Sequence, residues 1–198
     1  MRLKREFYER ENVVEIAKDL LGKQLVSSID DTLVAGYITE VEAYSGVDDK
    51  ACHANNGKRT RRTEVMFGSG GHAYVYFCYG IHHMMNVVCN VQGQADAVLI
   101  RAIQPIEGMD VMCQRRKKDR VNKNLTCGPG KVGQALGLQT KAHNGLDLMR
   151  EVLWIEEAPN RMAEEVFATT RIGVDYAEED ALKPWRFYIK NSEWISKK

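Results

Sequence analysis

Between positions 24 and 103 the chain sets out strand after strand with little room for helices in between. Runs rich in β-branched and aromatic residues cover 24–28, 33–44, 72–79, 84–90 and 97–103. A doubly wound parallel sheet would place a crossover helix after each strand. Consecutive strands argue instead for an α+β fold. Asp30-Asp31 separates the first two runs as a tight turn, and 152–155, 166–174 and 186–190 read as later strands. Helices are expected at three places. Asn12, with Glu15 three residues on, resembles a capping box ahead of an apolar face of Val13, Ala17, Leu20 and Leu21, stopped by Gly22. Pro105 is expected to open a helix running to about Arg120, and another should follow Gly128-Pro129-Gly130.

At 198 residues the chain suits one domain, and a domain of that size buries roughly 70% of its unfolded surface without disulfides or metals. Hydrophobic residues at 44% and charged residues at 28% exclude disorder, collagen and coiled coil as readings of the whole. No apolar run approaches the ~18 residues of a membrane span. The opening MRLKREFYERENVVEI is basic but has no apolar stretch, so an intracellular, cytoplasmic protein is expected. Five widely spaced cysteines with no C-x-x-C pair fit reduced, mostly core thiols better than a disulfide framework or zinc ribbon. The net charge of +1 conceals an asymmetry. Residues 101–131 hold eight basic and three acidic side chains, and residues 151–180 hold two basic and nine acidic ones. One face of the protein therefore suits an anion, although a solvated amphipathic helix would have the same composition.

Several segments could carry chemistry. Strict alternation along 37–44 puts Ile38, Glu40, Glu42 and Tyr44 on one face and Tyr37, Thr39, Val41 and Ala43 on the other. Paired carboxylates beside a ring are functional or paired if buried, and unremarked if they face solvent. The loop Gly57-Lys58-Arg59-Thr60-Arg61-Arg62 suits phosphate contacts, though a solvated loop explains it about as well. Phe67-Gly68-Ser69-Gly70-Gly71 lacks the Lys-Ser/Thr ending of a phosphate loop, which excludes nucleoside triphosphate binding of that kind. Tyr74-Val75-Tyr76-Phe77-Cys78-Tyr79 holds four rings in six residues. Alternation sends Tyr74 and Tyr76 to one side and Phe77 and Tyr79 to the other, as a core strand or as plates for a nucleobase. His82 and His83 point to opposite faces of a strand, and no histidine–cysteine set has metal-ligand spacing. No G-x-S-x-G elbow is present.

Taken in order, these segments resemble the alkyladenine (3-methyladenine) DNA glycosylase family. The resemblance rests on Thr39-Glu40-Val41-Glu42-Ala43-Tyr44, His53, Met66-Phe67, Tyr74-Val75-Tyr76, Tyr79-Gly80 and Met85-Asn86. Leu99-Ile100-Arg101-Ala102, Gly128-Pro129-Gly130-Lys131, Arg171-Ile172-Gly173-Val174 and Lys183-Pro184-Trp185-Arg186-Phe187-Tyr188 continue it, so that it covers 17–194. The tip Ile81-His82-His83 departs from the mammalian pattern.

The resemblance implies a single compact domain over 1–198 with a curved, mainly antiparallel β core, flanking helices and a protruding hairpin that intercalates into DNA. It implies excision of alkylated or deaminated purines from double-stranded DNA by hydrolysis, with no cofactor and no metal, by a monomer. A nucleoid-associated protein is implied for a bacterium and a nuclear one for a eukaryote. Glu42 is implied as the base that activates water, with Arg101 and the carbonyl of Ile172 as the water's other holders. Tyr44, His53 and Tyr76 are implied as walls of the pocket for the flipped base, and Asn86 as the residue opposing guanine's amino group. Tyr79 is implied as the wedge in the vacated stack. Ile81, Lys58, Thr60, Arg62, Met66 and Lys131 complete the implied DNA surface. The competing function is a catalytically silent binder of damaged or distorted duplex, for which Glu42 would have no use.

Overall fold

In the computed structural model, which describes residues 1–158 and 165–197, eight strands form one sheet in which every pairing is antiparallel. Chain order runs α1 (Arg5–Tyr8), α2 (Val13–Leu20), β1 (Gln24–Ile29), β2 (Thr32–Tyr44), β3 (Ala73–Cys78), β4 (His82–Cys89) and β5 (Asp96–Glu107). Then come α3 (Met109–Arg116), α4 (Pro129–Leu136), α5 (Thr140–His143), β6 (Leu153–Glu156), β7 (Val166–Thr169) and β8 (Arg186–Ile189). The sheet is ordered β3-β4-β5-β2-β1-β6, with β8 beside the far half of β2 and β7 outside β8. This is the expected α+β class. Among the described residues, no helix is long and apolar enough to cross a membrane.

Local signals explain most elements. The Asn12 side chain accepts from the N–H groups of Val14 and Glu15, and α2 buries Val13, Ile16, Ala17 and Leu20. Asp30 and Asp31 both have φ near +54°, the left-handed geometry of a two-residue hairpin turn that aspartate tolerates. The helix after Gly128 begins with Pro129 as expected. All five cysteines are free, and four of them are buried.

Two expected elements differ. Pro105 does not open a helix; it lies in β5, paired opposite Gly36. β4 pairs only with the stretch from Asp96 to Leu99, so one edge of β5 has lost its strand neighbour by then and tolerates a residue without N–H. The helix starts after Gly108, at φ +64°, where a Cβ would lie 2.5 Å from the Leu33 carbonyl oxygen. The strand expected over 166–174 ends at Thr169. There the chain turns inward to bury Arg171.

β2 is the element that positions the site. Ile38, Val41 and Ala43 all pack into the main core under α2 and α4, whereas Glu40 and Glu42 both reach Arg101. Ile38 therefore does not share the carboxylates' face, as strict alternation required. The pairing with β5 shifts register between Ile38 and Glu40 and again between Glu40 and Val41. An irregularity of this kind breaks the two-residue period.

Candidate active site

A cavity of about 430 Å³ opens on the sheet face away from the main core, a volume within the range of small-molecule sites. β2 contributes Glu42 and Tyr44, β3 Tyr74 and Tyr76, β4 Asn86, and β5 Arg101. The 51–53 turn adds His53, and the segment after Arg171 adds Ile172 and Tyr176.

Glu42 lies at the floor with no solvent-exposed surface. A carboxylate in such a place is stable only if donors satisfy it. Its Oε1 accepts from the Ile172 N–H at 2.8 Å. Its Oε2 accepts from the Tyr44 hydroxyl at 2.8 Å and lies 3.1 Å from an Arg101 terminal nitrogen. Burial and the neighbouring Glu42 charge both push the Tyr44 phenol well above its ordinary range, so it remains a donor. Burial opposes the charge on Arg101, but Glu42 and Glu40 outweigh that effect and hold it cationic. Oε1, with one donor only, keeps a lone pair for a further partner such as water.

The walls are aromatic. Tyr74 and Tyr76 lie with ring centroids 5.2 Å apart, and His53 meets Tyr76 edge-on at 4.8 Å. His53 Nε2 lies 3.3 Å from an Arg62 nitrogen, and its Nδ1 lies 3.0 Å from the Tyr74 hydroxyl. A guanidinium only donates, so Nε2 accepts and the ring proton sits on Nδ1. Burial, and then the charges of Arg62 and Lys58, lower the His53 pKa to about 4, which leaves the ring neutral at neutral pH. Asn86 is buried, donates from Nδ2 to the Tyr74 carbonyl, and faces the cavity.

Tyr79 occupies the turn between β3 and β4 with φ +52° and is 80% exposed. It does not pack in the core with Phe77, which is itself half exposed. Ile81 beside it is 71% exposed. Arg62 stacks over Tyr76 at 4.6 Å at the cavity edge. Lys58 is exposed, and the Thr60 hydroxyl is held within its own loop by Thr63.

Three residues have surroundings that the sequence did not suggest. Met66 is 1% exposed and lines the cavity, packed with Tyr74 and Tyr76. Lys131 lies outside the cavity, in a second cleft with Arg120 and Lys123, where its ammonium donates to Asn124. Ile172 lines the cavity and donates its N–H to Glu42, a contact the sequence did not suggest.

Sequence reasoning missed the supports of the site. Arg171, fully buried, donates to both oxygens of Asp49 and to the carbonyls of Ala43 and Asp180. That arrangement fixes the peptide leading to Ile172. No local pattern announces it, because Asp49 lies 122 positions away. Among the described residues, no group of three or more His, Cys, Asp or Glu side chains is gathered as a metal site.

The methylpurine-DNA glycosylase family pattern matches residues 6–193. A chain from Clostridium acetobutylicum, under the provisional name 3-methyladenine DNA glycosylase, is 48% identical over 203 residues, covering 99% of this chain and 98% of its own. Relatives with the same provisional name are 47% identical in Alkaliphilus oremlandii, over the whole of both chains, and 48% identical in Methanocella arvoryzae, over 99% and 96%. The carboxylate beneath an aromatic pocket thus sits in a chain that belongs to the methylpurine-DNA glycosylase family and is a DNA glycosylase, a hydrolase of N-glycosyl bonds.

Proposed function

We propose that the protein is a monofunctional glycosylase of base excision repair that flips an alkylated or deaminated purine out of duplex DNA and hydrolyses its N-glycosidic bond. Glu42 activates the water, and an abasic site is left. The observation that carries this reading is the Glu42 carboxylate, buried and fixed by two hydrogen-bond donors and the Arg101 cation at the floor of a pocket walled by Tyr44, His53 and Tyr76. A base inside a duplex is unreachable until extruded, and a damaged pair resists extrusion least. A purine made cationic by alkylation stacks on tyrosine faces with a cation–π gain of roughly 0.5–2 kcal/mol. Departure of the base leaves an oxocarbenium-like sugar, which a carboxylate stabilises while it orients water. Arg101 holds the Glu42 carboxylate in place from 3.1 Å. Asn86 opposes the amino group of guanine, and Lys58 and Arg62 meet phosphates at the rim. The partner is double-stranded DNA carrying the damaged purine, met by a monomer.

The test uses a duplex with one hypoxanthine or alkylated adenine, followed by alkali. Strand breakage at that position is expected. Tight binding without breakage would favour the silent binder.

Water rather than an amine is the nucleophile in this reading, since no lysine is among the residues lining the cavity. Borohydride should therefore trap no covalent protein–DNA complex, and a trapped band on a gel would contradict the assignment.

Tyr79 is the wedge. An aromatic side chain pushed into the gap left by the flipped base offsets part of the unstacking cost. Because the ring is exposed, Tyr79→Ala should shift stability by less than about 0.5 kcal/mol. Stacking of this kind is worth about 1–3 kcal/mol per base, so excision from duplex should fall roughly tenfold or more, and excision from a single strand much less. A variant that melts early and loses both activities together would rule out the wedge.

A further inference from the structure

The guanidinium that holds Glu42 is itself held from three sides. Arg101 Nε donates to Glu40 Oε1 at 2.9 Å, one terminal nitrogen lies 3.1 Å from Glu42 Oε2, and the other donates to the Ser196 hydroxyl at 3.1 Å. Every nitrogen of a planar, rigid group is thus engaged by a different partner, which leaves it no freedom to rotate. Glu40 is fully buried and does not line the cavity. Its Oε1 also accepts from Arg186 at 3.1 Å and from the Ser196 hydroxyl at 2.7 Å, and its Oε2 accepts from the Ser196 N–H. Two carboxylates and two guanidiniums balance in charge, as a buried set must. Ser196 bridges the set, accepting from Arg101 and donating to Glu40 through the same oxygen.

The segment carrying Ser196 is fastened on both sides. The Trp194 carbonyl accepts from the Thr39 hydroxyl, and the Lys197 carbonyl accepts from Arg186 at 2.9 Å. Trp194 packs against the main core. The hydroxyl is therefore presented to Arg101 from a fixed backbone.

We propose that Ser196 is a positioning residue for the reaction: through its hydroxyl it sets the plane of Arg101, and through Arg101 the orientation of the Glu42 carboxylate. The proposal rests on Glu42 being the base. Ser196 touches neither the cavity nor any reacting atom, so it should influence the chemical step without influencing substrate binding. Losing the hydroxyl frees one Arg101 nitrogen and one acceptor position on Glu40, and the guanidinium gains a rotation that carries Glu42 with it.

The experiment compares Ser196→Ala and Ser196→Thr with the wild type on a hypoxanthine-containing duplex. It measures single-turnover excision, the dissociation constant for the same duplex, and the melting temperature. A bond from a charged donor is lost, so Ser196→Ala should slow the single-turnover rate about tenfold or more with an unchanged dissociation constant. Ser196→Thr, which keeps the hydroxyl, should recover most of the rate. A wild-type rate in Ser196→Ala overturns the proposal. So does a loss of rate that tracks a loss of binding and melting temperature, and so does a threonine variant as slow as alanine at an unchanged melting temperature. Glu42→Gln separates the two levels of inference. If that variant still turns over, the base assignment fails; if it is dead while Ser196→Ala is normal, only the role of Ser196 fails.

Discussion

Glu42→Gln should abolish excision while the protein still binds damaged duplex. An amide of the same shape removes the base, and one of its two sides carries hydrogens. The Ile172 N–H donates to one carboxylate oxygen and the Tyr44 hydroxyl to the other, with the Arg101 cation beside the latter, so at least one of these groups then faces the amide's N–H₂. Loss of a general base alone costs roughly 10²–10⁴-fold. Binding is expected to hold or tighten, because a negative charge near phosphates is gone. Single-turnover excision and a mobility shift on the same duplex check both halves. Turnover near the wild-type rate would remove Glu42 from the mechanism. Glu40 cannot then replace it: four donors occupy its oxygens and it does not reach the cavity.

Asp49→Asn should produce the largest loss of stability. Arg171 and Asp49 are paired with no exposed side-chain surface, and the substitution leaves a buried guanidinium without its counter-charge. Breaking such a pair typically costs about 3–5 kcal/mol. For a chain of this length each kcal/mol lowers the melting temperature by roughly 2–4 °C, so a fall of about 6–20 °C is expected in thermal unfolding. Activity should fall as well, because Arg171 fixes the backbone whose next N–H holds Glu42. By contrast, replacing Lys50, whose pairs with Glu178 and Glu179 lie in solvent, should barely move the transition. A melting temperature for Asp49→Asn within 2 °C of wild type, roughly the shift of a single kcal/mol, would show that the pair is replaceable.

The sequence by itself determined what depends on near neighbours along the chain. The Asn12 cap, the Asp30-Asp31 turn, the helix after Gly128 and the succession of antiparallel strands are set by propensities and hydrogen bonds spanning a few residues. Alternation also placed Tyr74 and Tyr76 on one face correctly, since β3 pairs with β4 without a register shift. Only the tertiary structure decided the rest. The side of β2 on which Ile38 lies depends on its pairing with β5, and the fate of Pro105 depends on where β4 stops. The burial of Met66, the exposure of Tyr79 and the N–H of Ile172 on Glu42 likewise depend on what packs nearby. Ser196 meets Glu40 across 156 positions and Arg171 meets Asp49 across 122. A buried charge can take a compensating partner from anywhere in the chain, because solvation must be replaced in space and not in sequence, so no local pattern records the choice.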